Sequence, residues 1–460
     1  MSFTPTLAER RFGYGLSPVL TSVQSIDAML QGVAGPDVMQ ADWPLPGFRD
    51  LQDKLVLRRR FRGFARKNPT TDEGKAADKK QQAIYRETQT AWTRWFLQAQ
   101  RRRMLTPHAF RERLVAFWAD HFTAVGKGGI LRFGMTSYVE DAVRPHVNAS
   151  FGAMLRACVK HPLMLDYLDQ NTSAGPGSIM VRRRPRRRGL NENLAREVLE
   201  LHTVGVDGPY TQTDVRELAE LFTGLSASRD YGFIFRRNMA EPGAETVLGK
   251  TYGQGPSLQY IDDALEDLAR HPATAEHIAR KLAVHFVNDT PPLALVAHVK
   301  QAYLDSDGDL MRCYRALLEH PMAWSLPSQN IRPPQEFMSA TLRAFGRPSQ
   351  TFSKLEPKPV RQVFFEPLKL MGQPWERPVG PDGWAEKDAA WVTPQGIAAR
   401  LEWAVHAPSR VLDELPDPRD FVETALGDAV TEDVRFAAKA AENRAEALGL
   451  ILVSPAFQRR

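Results

Sequence analysis

The segment 191–202, Asn-Glu-Asn-Leu-Ala-Arg-Glu-Val-Leu-Glu-Leu-His, carries the densest set of chemically capable side chains in this sequence. At about 100° per residue of helix, Leu194, Val198 and Leu201 define an apolar face, and Asn193, Glu197 and Glu200 cluster beside it. Two carboxylates at i and i+3 with a neighbouring amide suit a shared proton or an oxygen-donor metal site, because like charges held together raise a carboxyl pKa. The same pattern also suits a solvated acidic face paired with Arg196 or Arg216. Glu200 and His202, two residues apart, point about 160° away from each other on a helix and cannot share one ion. His202 falls on the buried side beside Ala195 and Val198. His121 ends the stripe Phe110, Leu114, Phe117, His121, next to Trp118. Both histidines read first as packed core residues and second as proton shuttles for the carboxylates. The catalytic candidates are therefore Glu197, Glu200, His121 and His202, and the binding candidates are Asn191, Asn193, Arg196, Tyr210, Thr211 and Asp214. Neither a metal nor a cofactor is identified.

An αα-hairpin over 191–224 must position these groups. Asn191 suits an N-cap and Gly205 a C-terminal glycine. Asp207-Gly208-Pro209 turns the chain, and Thr211 with Asp214 three residues on imitates a capping box. Periodicity predicts further helices at 19–33, 83–104, 109–122, 136–147, 151–160 and 162–169, then at 260–270, 273–287, 293–305, 310–320, 334–345, 394–406, 418–426 and 431–448. One short β-hairpin is expected, 232–236 against 245–248. The fold class is mainly α, a multi-helical globular protein with a Pro/Gly-rich C-terminal arm. Its expected divisions are an N-terminal helical region (1–171), an Arg-rich loop (172–189), a central helical region (190–346), the arm (347–395) and C-terminal helices (396–460). One core is expected to join Trp92, Trp95, Phe96, Phe110, Leu114, Phe117 and Trp118. Glu197 is expected to anchor a buried network through Arg196 or Arg216, with Glu200 more peripheral.

Composition narrows the function classes. In 460 residues no apolar run approaches the length of a membrane-spanning helix. The first residues show no charged head followed by an apolar stretch, so no export signal is read. Two cysteines, Cys158 and Cys313, fit a reducing cytoplasm. The net charge of +6 permits an anionic partner. The excess is concentrated between Arg58 and Lys67 and between Arg182 and Arg188, where guanidiniums could neutralise phosphates. A solvated helix face for the first cluster and a loop for the second are the plainer readings. Asp305-Ser306-Asp307-Gly308-Asp309 has its glycine at the wrong position for a calcium loop. Residues 218–226 lack the second helix of a helix-turn-helix reader. Walker, dinucleotide, nucleophile-elbow and zincin motifs are absent.

From Leu190 to Gly205, and again at Tyr210-Thr211-Gln212 and Asp214-Val215, the sequence closely resembles the bacterial family called domain of unknown function 1800. The resemblance extends over Phe117-Trp118-Ala119-Asp120-His121-Phe122, Thr246-Val247-Leu248-Gly249, 271–275, Arg280-Lys281-Leu282, His285-Phe286, Gly372-Gln373-Pro374 and Gly383-Trp384. It covers roughly residues 5–405. It departs at Thr223-Gly224-Leu225, where many members carry Thr-Gly-Trp, and at Ala240-Glu241, where many carry His-Asp. The resemblance implies no particular reaction, fold or cofactor. Some members are exported and encoded beside a sulfatase-like family, which implies a protein partner. Three readings stand: an acid–base or metal-binding centre at the hairpin, a non-catalytic scaffold whose hairpin residues form a hydrogen-bond network, and an anion- or nucleic-acid-binding protein using the arginine clusters.

Overall fold

The structure is a computed structural model that describes residues 2–183, 189–228, 230–325, 327, 329–346, 352 and 355–460. Helices dominate, as the apolar periodicity predicts, and the only strands among the described residues form two short antiparallel pairs. No helix among the described residues is long and apolar enough to cross a membrane.

The strands pair differently from expectation. Phe233–Phe235 pairs with Leu225–Ala227, and Glu245–Val247 pairs with Lys250–Tyr252. The second pair closes through Leu248 (φ 48°) and Gly249 (φ 78°), both in the left-handed region. Two consecutive positive φ values match the right-handed twist of a two-residue hairpin. Asp214 holds this turn: its Oδ1 accepts the Leu248 N–H at 2.7 Å.

Several helix boundaries move for local reasons. Thr71 caps the long helix Asp72–Leu105, which starts well before the 83–104 stretch read from periodicity. Ser25 caps Ile26–Ala34, displacing the start expected near residue 19. Arg182 and Arg183 end a short helix, Ile179–Arg183, inside the segment expected to be a loop. The rest of that second arginine cluster, 184–188, lies outside the described residues. Within the Pro/Gly-rich arm, Pro357–Val360 and Glu366–Leu370 are helical and flank a π-helical segment, Arg361–Phe365.

Buried apolar side chains gather into two clusters. The first draws on residues from Leu7 to Trp324, including Phe110, Leu114, Phe117 and Trp118. The second joins Phe96, Leu97 and Met104 to residues from Phe337 to Phe457. Phe96 therefore belongs to a different core from Phe117, and Trp92 and Trp95 are only partly buried, contrary to the single core expected. The helix Asp72–Leu105 is long enough to serve both: at about 1.5 Å per residue it spans about 50 Å.

Buried ion pairs tie distant segments together. Glu336 accepts from Arg113 at 2.7 Å and Arg332 at 3.1 Å, and Arg460 lies 3.2 Å away. Arg144 grips Glu112 with two bonds of 2.8 and 2.9 Å, and Arg102 grips Glu140 with two of 2.7 and 3.1 Å. Paired forks of this kind satisfy both partners, which buried charge requires.

Candidate functional site

Between the two cores lies a cavity of about 190 Å³, walled by Ala109–His121, the Asp72–Leu105 helix, Pro272–Phe286 and the 373–391 stretch. That volume far exceeds the roughly 10–15 Å³ one water needs. Most charged groups on its wall are already paired: Arg113 with Glu336, Arg102 with Glu140, Arg144 with Glu112, and Lys281 with Glu386 at 2.7 Å.

Asp120 stands outside these pairs, as Glu376 and Asp388 do. It occupies the penultimate position of Ala109–His121, lines the cavity, and makes no ion pair among the described residues. Its Oδ1 accepts the Trp384 N–H at 2.9 Å. Burial pushes its carboxyl up to about 7, against the pull of the Trp384 N–H and the Lys281 ammonium. The neighbouring Gly383 has φ 76°, and a Cβ there would stand 2.6 Å from Asp120 Oδ1. Only glycine lets the backbone approach this carboxyl so closely.

Glu376 is a second carboxyl on the same wall without a cationic partner among the described residues. It accepts from Trp92 Nε1 at 2.6 Å and from the Thr136 hydroxyl. Burial lifts it too to about 7. Its backbone is in the left-handed region, φ 51°, an unfavourable state for a residue with a side chain.

The histidines of this region are neutral. His121 Nε2 donates to the His202 carbonyl at 3.2 Å, so its Nδ1 carries the free lone pair and finds no partner. Arg113 Nη2 donates to His285 Nε2 at 3.0 Å, which leaves the His285 proton on Nδ1. Burial, with the Lys281 and arginine charges nearby, holds both rings well below their ordinary value. His277 Nε2 donates to the Leu201 carbonyl at 3.1 Å.

Of the candidates read from the sequence, His121 alone lines the cavity. His202 is buried as expected, but both ring nitrogens lack a partner among the described residues, and burial lowers its pKa to about 3. The hairpin helix is not uniform: Asn193–Glu197 is α-helical and Val198–His202 is a π-helix. An i→i+5 turn is wider than an α turn, so the 100° wheel fails beyond Glu197. Glu200 accepts from Arg196 at 3.1 Å, and Arg196 also reaches Glu192 at 3.2 Å and Gln212 at 2.9 Å. Glu197 does not join this network, and Arg216 pairs with Glu220 instead. Glu200, not Glu197, takes Arg196, and that pair is partly exposed rather than the buried network expected. Half-burial, then Glu200 and Asp382, raise Glu197 to about 7. Asp382 also raises Asp120.

The remaining binding candidates have local structural partners. Asn191 Oδ1 accepts the Asn193 N–H at 2.8 Å, while Asn193 itself is exposed. Tyr210 donates to the Val206 carbonyl at 3.1 Å. Thr211 and Asp214 form the expected capping box. Among the described residues, no set of three or more His, Cys, Asp or Glu side chains is placed to hold a metal ion.

A family model described as a protein of unknown function (DUF1800) matches residues 8–459. The chain belongs to the DUF1800 family. No curated protein and no solved structure matches it. In this DUF1800 protein, Asp120, His121, Lys281, His285, Gln373 and Trp384 come from five of the separate stretches that carry the resemblance, and all six line one cavity. Glu376 lies outside those stretches. Only the closed fold shows that it belongs with Asp120.

Proposed function

We propose that this DUF1800 protein binds a small polar molecule in the cavity between its cores and transfers a proton to or from it through Asp120. The observation that carries this is the unpaired state of Asp120 on a wall where Arg102, Arg113, Arg144 and Lys281 all have carboxylate partners. A carboxyl titrating near neutrality can serve as acid in one step and base in the next. Glu376, on the same wall and also without a cation, supplies the complementary group. His121, kept neutral by burial, adjoins Asp120 on the wall and adds an uncharged polar ring there. The hairpin then acts as a support, because Arg196, Glu192, Glu200 and Gln212 form a closed surface network and Asp214 fixes the Leu248 turn. That assignment for the hairpin favours the scaffold reading of its residues and moves the acid–base centre one layer inward.

A thermal-shift screen tests it, using small carboxylates, amides, sugars and phosphate esters against the wild type and Asp120→Asn at pH 6 and pH 8. Compounds should stabilise the wild type with a pH dependence that Asp120→Asn abolishes. If no compound shifts the wild type, or if hits shift both proteins alike at both pH values, the assignment fails.

A further inference from the structure

The arginine cluster of the first helical region forms a second, separate concavity. The helix Phe48–Lys67 places Arg58, Arg62 and Arg66 at four-residue intervals, about 6 Å of rise apart, so they form a ladder about 12 Å long on one face. This face looks across a trough of about 670 Å³ to Lys127, Gly128 and Gly129. A second concavity of about 490 Å³, lined by Arg59, Arg60, Phe64 and Lys67, adjoins it and shares Arg59 and Gly63. A Cβ at Gly63 would meet nothing within 4 Å, so the floor between the two is open.

Other arginines, such as Arg102 and Arg144 in the interior and Arg216 and Arg435 at the surface, are matched to carboxylates. Arg58, Arg62 and Arg66 make no ion pair among the described residues, and Arg58 Nε is buried without a hydrogen-bond acceptor. The carboxylate on the trough wall, Asp166, is occupied by the Lys127 backbone N–H. Aromatic faces stand at the edges: Tyr231 lines the trough and Phe64 is half-exposed in the adjoining concavity.

We infer that this trough binds a single-stranded nucleic acid, with Arg58, Arg62 and Arg66 on successive backbone phosphates and Tyr231 and Phe64 offering faces to bases. A ladder of unpaired guanidiniums suits a chain of regularly spaced monoanions, and a cationic groove edged by aromatics is the usual construction for tracking a single strand. Concavity argues against a bilayer as the occupant, since a planar surface cannot enter a trough between a helix and a loop.

The test is fluorescence anisotropy of the full chain with a labelled 20-nucleotide oligothymidylate from 50 to 200 mM NaCl. The wild type should bind, and binding should weaken steeply with salt as counterions return to the phosphates. Arg62→Gln combined with Arg66→Gln should lower affinity at least tenfold and flatten the log–log salt slope by about 1.4, or about 0.7 for each lost phosphate contact on a single strand. A matched control, Arg361→Gln with Arg410→Gln, lies outside both concavities and should bind as the wild type does. Circular dichroism melts establish that both double variants are folded. Equal loss in the control pair, an unchanged slope in the trough pair, or absence of oligonucleotide binding would overturn the inference. So would binding only to vesicles containing phosphatidylserine, which would make the ligand a membrane surface.

Discussion

Replacing Asp120 by Asn should make the fold more stable at alkaline pH and leave it unchanged at acid pH. The reasoning begins with the proton. A carboxyl moved from its ordinary value of 3.8 to about 7 in the fold binds its proton more tightly in the native state than in the unfolded chain. Between those two values the native state holds the extra proton, so stability falls as pH rises through the window. Above pH 7 the ionised carboxylate would cost the fold at most about 4 kcal/mol, from about 1.36 kcal/mol for each pKa unit. Solvent reaching Asp120 through the cavity lowers that bound. Asparagine preserves the acceptor for the Trp384 N–H and carries no charge. Urea melts of wild type and Asp120→Asn at pH 3, 5, 6, 7 and 8 should therefore lie closest at pH 3, below both values, and diverge as pH rises to about 7, the variant being the more stable by pH 8. Curves that run parallel across the range would show that Asp120 is not held near neutrality. A variant less stable at every pH would show that the carboxylate is a structural anchor.

Two further substitutions check the surrounding structure. Phe117→Ala removes a ring packed 4.9 Å from Trp118 and 5.1 Å from His285, and should cost about 3–5 kcal/mol, read as a lower thermal midpoint. Glu197→Gln should leave stability at pH 8 unchanged or raise it by no more than about 1 kcal/mol, because the raised carboxyl at this half-buried site is disfavoured when ionised. A loss of about 3–5 kcal/mol in urea melts would instead mean that it anchors a buried ion pair.

What the sequence makes legible is local. The capping box of Thr211 and Asp214 and the buried stripe of Phe110, Leu114, Phe117 and His121 follow from spacing alone. The π-helical turn at Val198–His202 leaves no trace in a hydrophobic pattern, and it diverts Glu200 to Arg196 while Glu197 stays unpaired. Asp120 sits in a recognisable stretch, yet its importance depends on Trp384, 264 residues away. No periodicity reports contacts at that separation. The convergence of separate family stretches was the available signal, and it names Asp120, Lys281 and Trp384 together but not Glu376. The division of the Trp92–Phe96 aromatics between cores was hidden for a related reason: one helix can show a single apolar side to two different partners.

The knot around Glu336 also governs the order in which this chain can finish folding. Arg113 is made long before Glu336, but Arg460 follows it by about 120 residues. At about 5–20 residues per second of synthesis, that interval is roughly 6–24 seconds. Over that time Asn330 and Arg332 also lack the 458–460 backbone that pairs with them: Arg332 N–H donates to the Gln458 carbonyl and Arg460 N–H to the Asn330 carbonyl. Until residues 458–460 are made, the wall carrying Arg113 and Glu336 lacks these partners.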